Sequence, residues 1–366
     1  MTRARDMANL GDNAKALGET TGKNLVINGA MRVAQRSTST SSVTSGGYHV
    51  CDRWNIFGSS FGTYTISQSS TSPDGFANSL KFDCTTADSS PSAGDHFGFQ
   101  TKFEGQNLQL LKKGTSGALS TTVSFWVRSN KTGTYTLEMD DRDNTRSFSK
   151  TYTISSADTW EHKSVTFAGD TTGAFDNDNE NSFHLSWWLM AGSTFTGGTF
   201  TTGWESRTNG NRVSSSNVNL SDNTSNEWYI TGIQLEIGET ATEFDHRPFA
   251  EELNLCYRYF YKIIRTDAYG EFLVIRTYSS TQGTGVMILP VPMRAQPTFS
   301  SSTVNSSNFS YSMSVLGFST TDSGNASTSH RLATHNAVGA FTANGAAVVQ
   351  KANNTDAIFM QYDAEL

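Results

Sequence analysis

From Asn24 onward the chain alternates apolar and polar residues with a period of two, the pattern of strands that lay one face on a core. NLVINGAMRVAQ opens the series, with a kink expected at Asn28-Gly29. YHVCDRWNIFG, GTYTISQ, SLKFDC and HFGFQTKF follow as short strands parted by Gly, Ser and Pro. LSTTVSFWVRSN, GTYTLEMDD, RSFSKTYTIS, WEHKSVTFAG, NSFHLSWWLMAG and NEWYITGIQLEIG continue it. Short strands at near-regular spacing predict a large jelly-roll β-sandwich over residues 24–248. No helical period of any length interrupts them. CYRYFYKII, EFLVIRTYS, GVMILPVPM, FSYSMSVLGF, AAVVQ and AIFMQYDAEL then predict a smaller C-terminal β-sandwich domain over 249–366. Pro290, Pro292 and Pro297 point to an edge strand or a crossing there, because proline cannot donate to a ladder. The fold class is all-β.

Residues 1–23 differ from this pattern. Met7, Leu10, Ala14 and Leu17 fall at seven-residue spacing on a short helix. One narrow apolar stripe cannot bury itself, so the segment is predicted to be an anchor or trimerisation helix.

ITGIQLEIGETATEFDHRP, residues 230–248, concentrates carboxylates, a His and an Arg. Alternation puts Ile233, Leu235 and Ile237 on the core and turns Gln234 and Glu236 away from it. Gly232 suits a bulge, and Pro248 suits the start of a helical turn with Glu251 and Glu252 near its amino end. These charges read as a clamp at a domain seam rather than as chemistry.

Composition sharpens the class. Hydrophobic residues make up 36% and charged residues 17%, with 23 Phe, 12 Tyr and 7 Trp among many hydroxyls, which is β-sandwich material. A formal net charge of −7 argues against a nucleic-acid partner. No run is long and apolar enough to insert in a membrane, and MTRARDMANLGDNAKAL lacks the apolar core of a secretory signal. Cys51, Cys84 and Cys256 have no metal-like spacing and read as free buried thiols of a protein assembled in a reducing cytosol.

Sugar recognition lays an aromatic ring on the apolar face of a pyranose, with amide, carboxylate or guanidinium groups on the hydroxyls. Trp187 and Trp188 are adjacent on one strand and must point to opposite faces, as must Phe125 and Trp126. Trp204 lies in the Gly- and Thr-rich FTGGTFTTGWESRTNGNR near Arg207, Asn209 and Arg212. Trp204, Arg207, Asn209 and Trp188 are therefore the candidate ligand residues; the alternative for Trp204 is a plug at the sandwich end or a subunit interface. Asp176, Asp178 and Glu180 alternate as oxygen ligands of calcium would, without the full loop pattern, so a solvated acidic turn is the better reading. Glu138, Asp140 and Asp141 either face a cleft or form an exposed strand end. No metal, cofactor or catalytic residue is assigned: no histidine pair, P-loop or nucleophile elbow is present.

Several segments resemble tail-fibre and receptor-binding virion proteins of tailed phages with a carbohydrate-binding-like jelly roll. These are NLVINGAMRVAQRS (24–37), YHVCDRWNIF (48–57), TVSFWVRSNKTGTYTLEM (122–139), ITGIQLEIGETATEFDHRP (230–248) running into EELNLCYRYFYK, and VPMRAQPTF (291–299). MTRARD and the terminal DAEL are similar too. At GAMRVAQ the chain departs from the family, in which an acidic residue often follows the glycine, so no metal site is carried over.

The resemblance implies a non-enzymatic homotrimeric fibre in the virion tail, assembled in the host cytoplasm. It would join other tail or virion proteins through its N-terminus, with the C-terminal domain distal, and bind host surface polysaccharide. Three other readings stay open: a head fibre, decoration or tail-adaptor protein; a tailspike that cleaves polysaccharide; and a bacterial carbohydrate-binding module outside any virus.

Overall fold

The computed structural model describes residues 23–267, 270–301, 312–319, 330–338, 344, 346–350 and 357–366. The expected helix bearing Met7, Leu10, Ala14 and Leu17 lies outside the described residues. The chain forms two compact units, one up to Phe249 and one from Ala250.

The first unit is built from two antiparallel sheets. In chain order its strands begin with β1 (Ser39–Val43), β2 (Gly47–Tyr48), β3 (Asn55–Ser59), β4 (Thr63–Ser69), β5 (Ser79–Thr86) and β6 (His96–Glu104). They continue with β7 (Thr121–Ser129), β8 (Gly133–Asp141), β9 (Arg146–Ile154), β10 (Glu161–Phe167), β11 (Asn181–Ala191), β12 (Glu205–Ser206) and β13 (Glu227–Ile237). One sheet runs β1-β4-β5-β13-β7-β10 and the other β12-β9-β8-β11-β6-β3-β2. A short helix α1 (Ser193–Thr196) follows β11.

The alternation read from the sequence sets what lies inside. Phe125 and Val127 of β7, Leu137 and Met139 of β8, and Leu185, Trp187 and Leu189 of β11 are all buried in one cluster between the sheets. Trp187 stacks on Phe99 at 5.0 Å and meets Trp54 edge-on at 5.9 Å. Each such ring removes a large apolar area from water, so a few aromatics supply much of the core's stabilisation. Cys51, Cys84 and Cys256 are buried free thiols.

The sandwich is closed by a knot of buried amides. Asn24 Nδ2 donates to the Ile233 carbonyl at 3.1 Å, while its Oδ1 accepts from Val26 N and Leu235 N at 3.0 and 3.1 Å. Asn28, at φ +59°, donates to the carbonyls of Val33 and Asp52, and Trp54 Nε1 donates to the Asn28 carbonyl at 3.0 Å. Gly29 has no room for a Cβ, which would sit 2.1 Å from the Ile233 carbonyl oxygen. Arg247 reaches back to the carbonyls of Asn24 and Val26. The chain therefore enters and leaves the sandwich side by side.

The second unit follows helix α2 (Phe249–Tyr257), which starts one residue after Pro248 with Glu251 and Glu252 in its first turn. A three-stranded sheet orders β14 (Phe260–Arg265), β21 (Ile358–Asp363) and β17 (Thr298–Ser301). A five-stranded sheet orders β18 (Ser312–Ser319), β19 (His330–Val338), β16 (Gln282–Met293), β15 (Glu271–Thr277) and β20 (Ala346–Gln350). Leu289, Met293, Tyr362 and Ala364 form its buried cluster.

The prolines correct one expectation. β16 is a central strand, not an edge. Pro290 and Pro292 fall where its register with β19 jumps, between Ile288 and Met293, so no ladder donor is lost there.

Candidate functional site

The outward face of the seven-stranded sheet is polar and, for the most part, buried. Its cross-strand register lines up rows. One row is Asn55, Gln100, Ser186, Glu138 and Ser149, and the next is Lys102, His184, Asp140, Ser147 and Glu205. A third carries Phe57, Gly98, Trp188 and Thr136. Hydrogen bonds run along the first row, from Gln100 Nε2 to Asn55 Oδ1 at 3.1 Å and from Ser186 Oγ to Gln100 Oε1 at 3.1 Å.

The segment after β11 lies over this face and is riveted by charge. Arg212 Nε donates to Glu138 Oε1 at 2.7 Å and its Nη2 to Oε2 at 2.9 Å. Arg207 Nη1 donates to both oxygens of Asp140 at 2.7 and 2.8 Å, and Arg142 adds a third bond to Asp140 at 3.1 Å. Glu138 and Asp140 are thus neither an open cleft pair nor an exposed strand end. They are fully buried anions held by guanidinium groups. Burial pushes the Glu138 carboxyl up, against the pull of Arg212. Burial also works against the Arg212 charge, but the Glu138 carboxylate outweighs it and lifts the guanidinium above its ordinary value.

His184 sits in the middle of this charge. Burial first, then the positive field of Lys102, Arg142, Arg212 and Arg207, hold it well below the usual imidazole range. The ring is neutral near neutral pH. Its Nε2 lies 2.8 Å from Asn181 Nδ2 and accepts from that amide, so the ring proton is assigned to Nδ1.

Of the four candidate ligand residues, the network unites Trp188 and Arg207. Trp188 points away from the core, but it is roofed by Phe195 and Val213, with the Arg212 guanidinium 5.0 Å from its ring. Its Nε1 donates to Glu138 at 2.9 Å. At 1% exposure it offers no ring face to a ligand. Asn209 opens a short 3-10 turn on the crest of the same segment and is exposed.

Trp204 belongs elsewhere. It packs against the core at the end of the sandwich, with Phe148 edge-on at 6.0 Å and Nε1 donating to the Ala168 carbonyl at 2.8 Å. The cavity beside it, lined by Leu111, Met139, Phe183 and Leu235 among others, measures about 20 Å³, room for one water and not for a sugar ring. Trp204 is a plug, the alternative the sequence had left open for it.

Sequence reasoning missed the lysine beneath that plug. Lys113 Nζ lies 2.5 Å from Asp141 Oδ2 and 3.1 Å from Asp170 Oδ2, and donates to the carbonyls of Thr172 and Gly173. Arg146 forms a two-pronged pair with Asp170 at 2.7 and 3.1 Å. Burial resists the Asp170 charge, but Arg146, the Thr172 amide and Lys113 hold its carboxyl below the usual range. Nothing in LKKG marks Lys113, since its partners come from a strand end and a loop far along the chain.

Among the described residues no cluster of His, Cys, Asp or Glu is arranged to hold a metal. Asp178 serves the local turn, its Oδ1 accepting from Glu180 N at 2.9 Å, while the Asp176 amide donates to Asp143 Oδ2 at 2.9 Å. In the 230–248 stretch, Gln234 and Glu236 do turn from the core, yet they are buried beneath the loop that follows. Thr242 Oγ1 donates to Glu236 Oε2 at 2.6 Å, and Asp245 N to Gln234 Oε1 at 2.8 Å.

No protein-family model matches this chain, and no curated protein matches it. Among solved structures it is similar to the enzymatically active domain of tailspike protein 4 of bacteriophage CBA120. The identity is 13% and the TM-score 0.31, over 59% of this chain and 22% of that one. A putative sugar-binding protein from Bacteroides thetaiotaomicron aligns at 13% identity and TM-score 0.32, over 59% of this chain and all of its own. TmCBM61, solved with β-1,4-galactotriose, aligns at 11% identity and TM-score 0.32, again over 59% and 100%. The architecture described above stands on this chain's own sheets and registers.

Proposed function

We propose that this chain is a non-enzymatic virion protein of a tailed phage, a homotrimeric tail fibre that attaches the particle to host surface polysaccharide. The observation that carries this reading is the closing knot. Segments 24–37, 48–57 and 230–248, three of the segments that resemble phage fibre proteins, meet at Asn24, Asn28, Trp54, Leu235 and Arg247. Their shared residues serve to close a sandwich whose two chain ends lie together. Such a closure puts both chain ends of the first unit at one place on the sandwich.

Hydrolysis of a glycan would need two carboxyl groups free to protonate and to attack. Glu138 and Asp140 are committed to arginines instead, which supports a role in binding. Trimer formation is supported in the second unit, where Val274, Val286 and Ile288 stand 63%, 53% and 65% exposed on β15 and β16. Large apolar side chains gathered on one sheet face mark a surface that an assembly covers. The anchor to the particle is assigned to residues 1–23. Three weak sites on one fibre would then gain avidity through effective concentration.

The burial of Trp188 and the packing of Trp204 favour a second reading, a decoration or adaptor protein that never meets a receptor. One experiment separates them. The purified full chain is sized by light scattering and tested for adsorption to host cells. A trimer that adsorbs supports the fibre. A protein that binds only phage particles supports the second reading, and release of reducing ends from host polysaccharide would overturn both.

A further inference from the structure

The six-stranded sheet has an outward aromatic cluster of its own. Trp126 of β7 lies between His162 of β10 and Thr231 of β13 in the cross-strand register. The Trp126 and His162 rings are 5.1 Å apart. Beside them Phe76, Phe244 and His246 form a trio with centroids 4.8–5.1 Å apart.

Gly232 joins the two groups. It sits at the β13 bulge with φ +63°, and a Cβ there would land 2.6 Å from Phe76 Cζ and 3.1 Å from Trp126 Cδ1. The glycine lets two rings share one patch of backbone. Phe76, Trp126 and Phe244 are half-buried, while His162 and His246 are exposed, so the cluster has an open side.

Two buried oxygens in these same elements lack partners among the described residues. They are Thr231 Oγ1, opposite Trp126, and Asp245 Oδ2, between Phe244 and His246 in the chain. Buried polar atoms left unpaired are uncommon and costly in folded proteins. Neither oxygen reaches the open side, so they mark imperfect packing under the cluster, and its exposed polar groups are the two imidazoles.

We propose that this cluster is a pyranose-binding platform on the outer face of the six-stranded sheet. Trp126 and Phe76 are the stacking rings, and the exposed imidazoles of His162 and His246 are the hydroxyl partners. Rings beside exposed imidazoles match the amphipathic character of a sugar, which carries an apolar face and a rim of hydroxyls. Asp245, and Glu243 near His162, make the surroundings acidic, which selects neutral sugars over uronic or sulfated ones. The proposal rests on the glycan-attachment reading and names the site for it.

The test uses the full chain and an array of neutral glucose, galactose and mannose tetrasaccharides beside uronic-acid oligomers. Trp126→Ala should weaken binding to the neutral probes at least about ten-fold, while Thr151→Ala, at an exposed position of β9 in the other sheet, should leave it unchanged. Circular dichroism and light scattering confirm that each variant keeps its fold and mass. Equal binding by wild type and Trp126→Ala overturns the site but leaves glycan attachment standing. Preference for uronic oligomers overturns the ligand class. A changed oligomeric mass in Trp126→Ala makes the cluster a subunit contact and overturns the platform. Adsorption to host cells without binding to any neutral probe overturns the platform alone. Failure of wild type to bind either cells or probes overturns the attachment reading with it.

Discussion

Arg212 grips Glu138 through two parallel hydrogen bonds of 2.7 and 2.9 Å on a sheet face where Glu138 is wholly buried. The two residues stand 74 positions apart in the chain. Breaking a buried pair leaves the surviving charge without compensation, so this contact fixes the segment over β8 and β11 more firmly than its small area suggests.

Arg212→Met should therefore destabilise the first unit by about 3 kcal/mol, because Glu138 is left buried without the guanidinium that satisfies it. Adding Glu138→Gln should recover part of that loss. Urea unfolding of both single variants and the double variant gives the coupling, and strict additivity would show that the pair is not a unit.

Asn24→Ala removes one donor and two accepted bonds at the closing knot. The amides of Val26 and Leu235 then lose a buried acceptor. The expected cost is about 2 kcal/mol, a fall of roughly 4–8 °C in Tm for a unit of this size. A differential scanning run that shows no shift would mean water takes over the role.

Gly232→Ala places a side chain where φ is +63° and where two rings already sit. Backbone strain costs roughly 1–2 kcal/mol, and Phe76 and Trp126 must part. Reduced stability should come with a changed tryptophan emission spectrum. The platform proposal adds that sugar binding falls in the same variant.

Stability should decline as pH drops below about 6.5, because His184 is held well below that value in the fold. The unfolded chain binds the proton and the folded chain does not, so acid favours unfolding. The loss should approach about 1.4 kcal/mol per pH unit below the unfolded value until the folded pKa is reached. Urea midpoints measured from pH 7.5 to 5 in wild type and His184→Gln check this, with the smaller slope expected in the variant.

Val286→Lys with Ile288→Lys should lower the solution mass from trimer to monomer if the second unit carries the trimer contact. Both side chains are already exposed, so the fold itself should survive, and an unchanged mass would move the contact elsewhere.

The alternation of Phe125 with Trp126, and of Trp187 with Trp188, was legible in the sequence because a strand's two faces are set by its own pleat. The same locality exposed the all-β class, the bulge at Gly232 and the helical start after Pro248. What covers an outward face is not a local property. Trp188 and Glu236 both turn from the core as the pattern demands, yet each is buried under a segment that follows its own strand. Whether Trp204 presents its ring or plugs the sandwich likewise depended on Phe148 and Lys113, which reach it from other parts of the chain.

Partner choice across the sandwich was decided by tertiary structure alone. Asn24 meets Leu235 over 211 positions, and Lys113 meets Asp141 and Asp170, because the order of strands in the sheets brings them together. Local periodicity determines which way a side chain points. Strand order determines what it meets, and that order is chosen by the packing of the whole sandwich, which no single stretch of sequence contains.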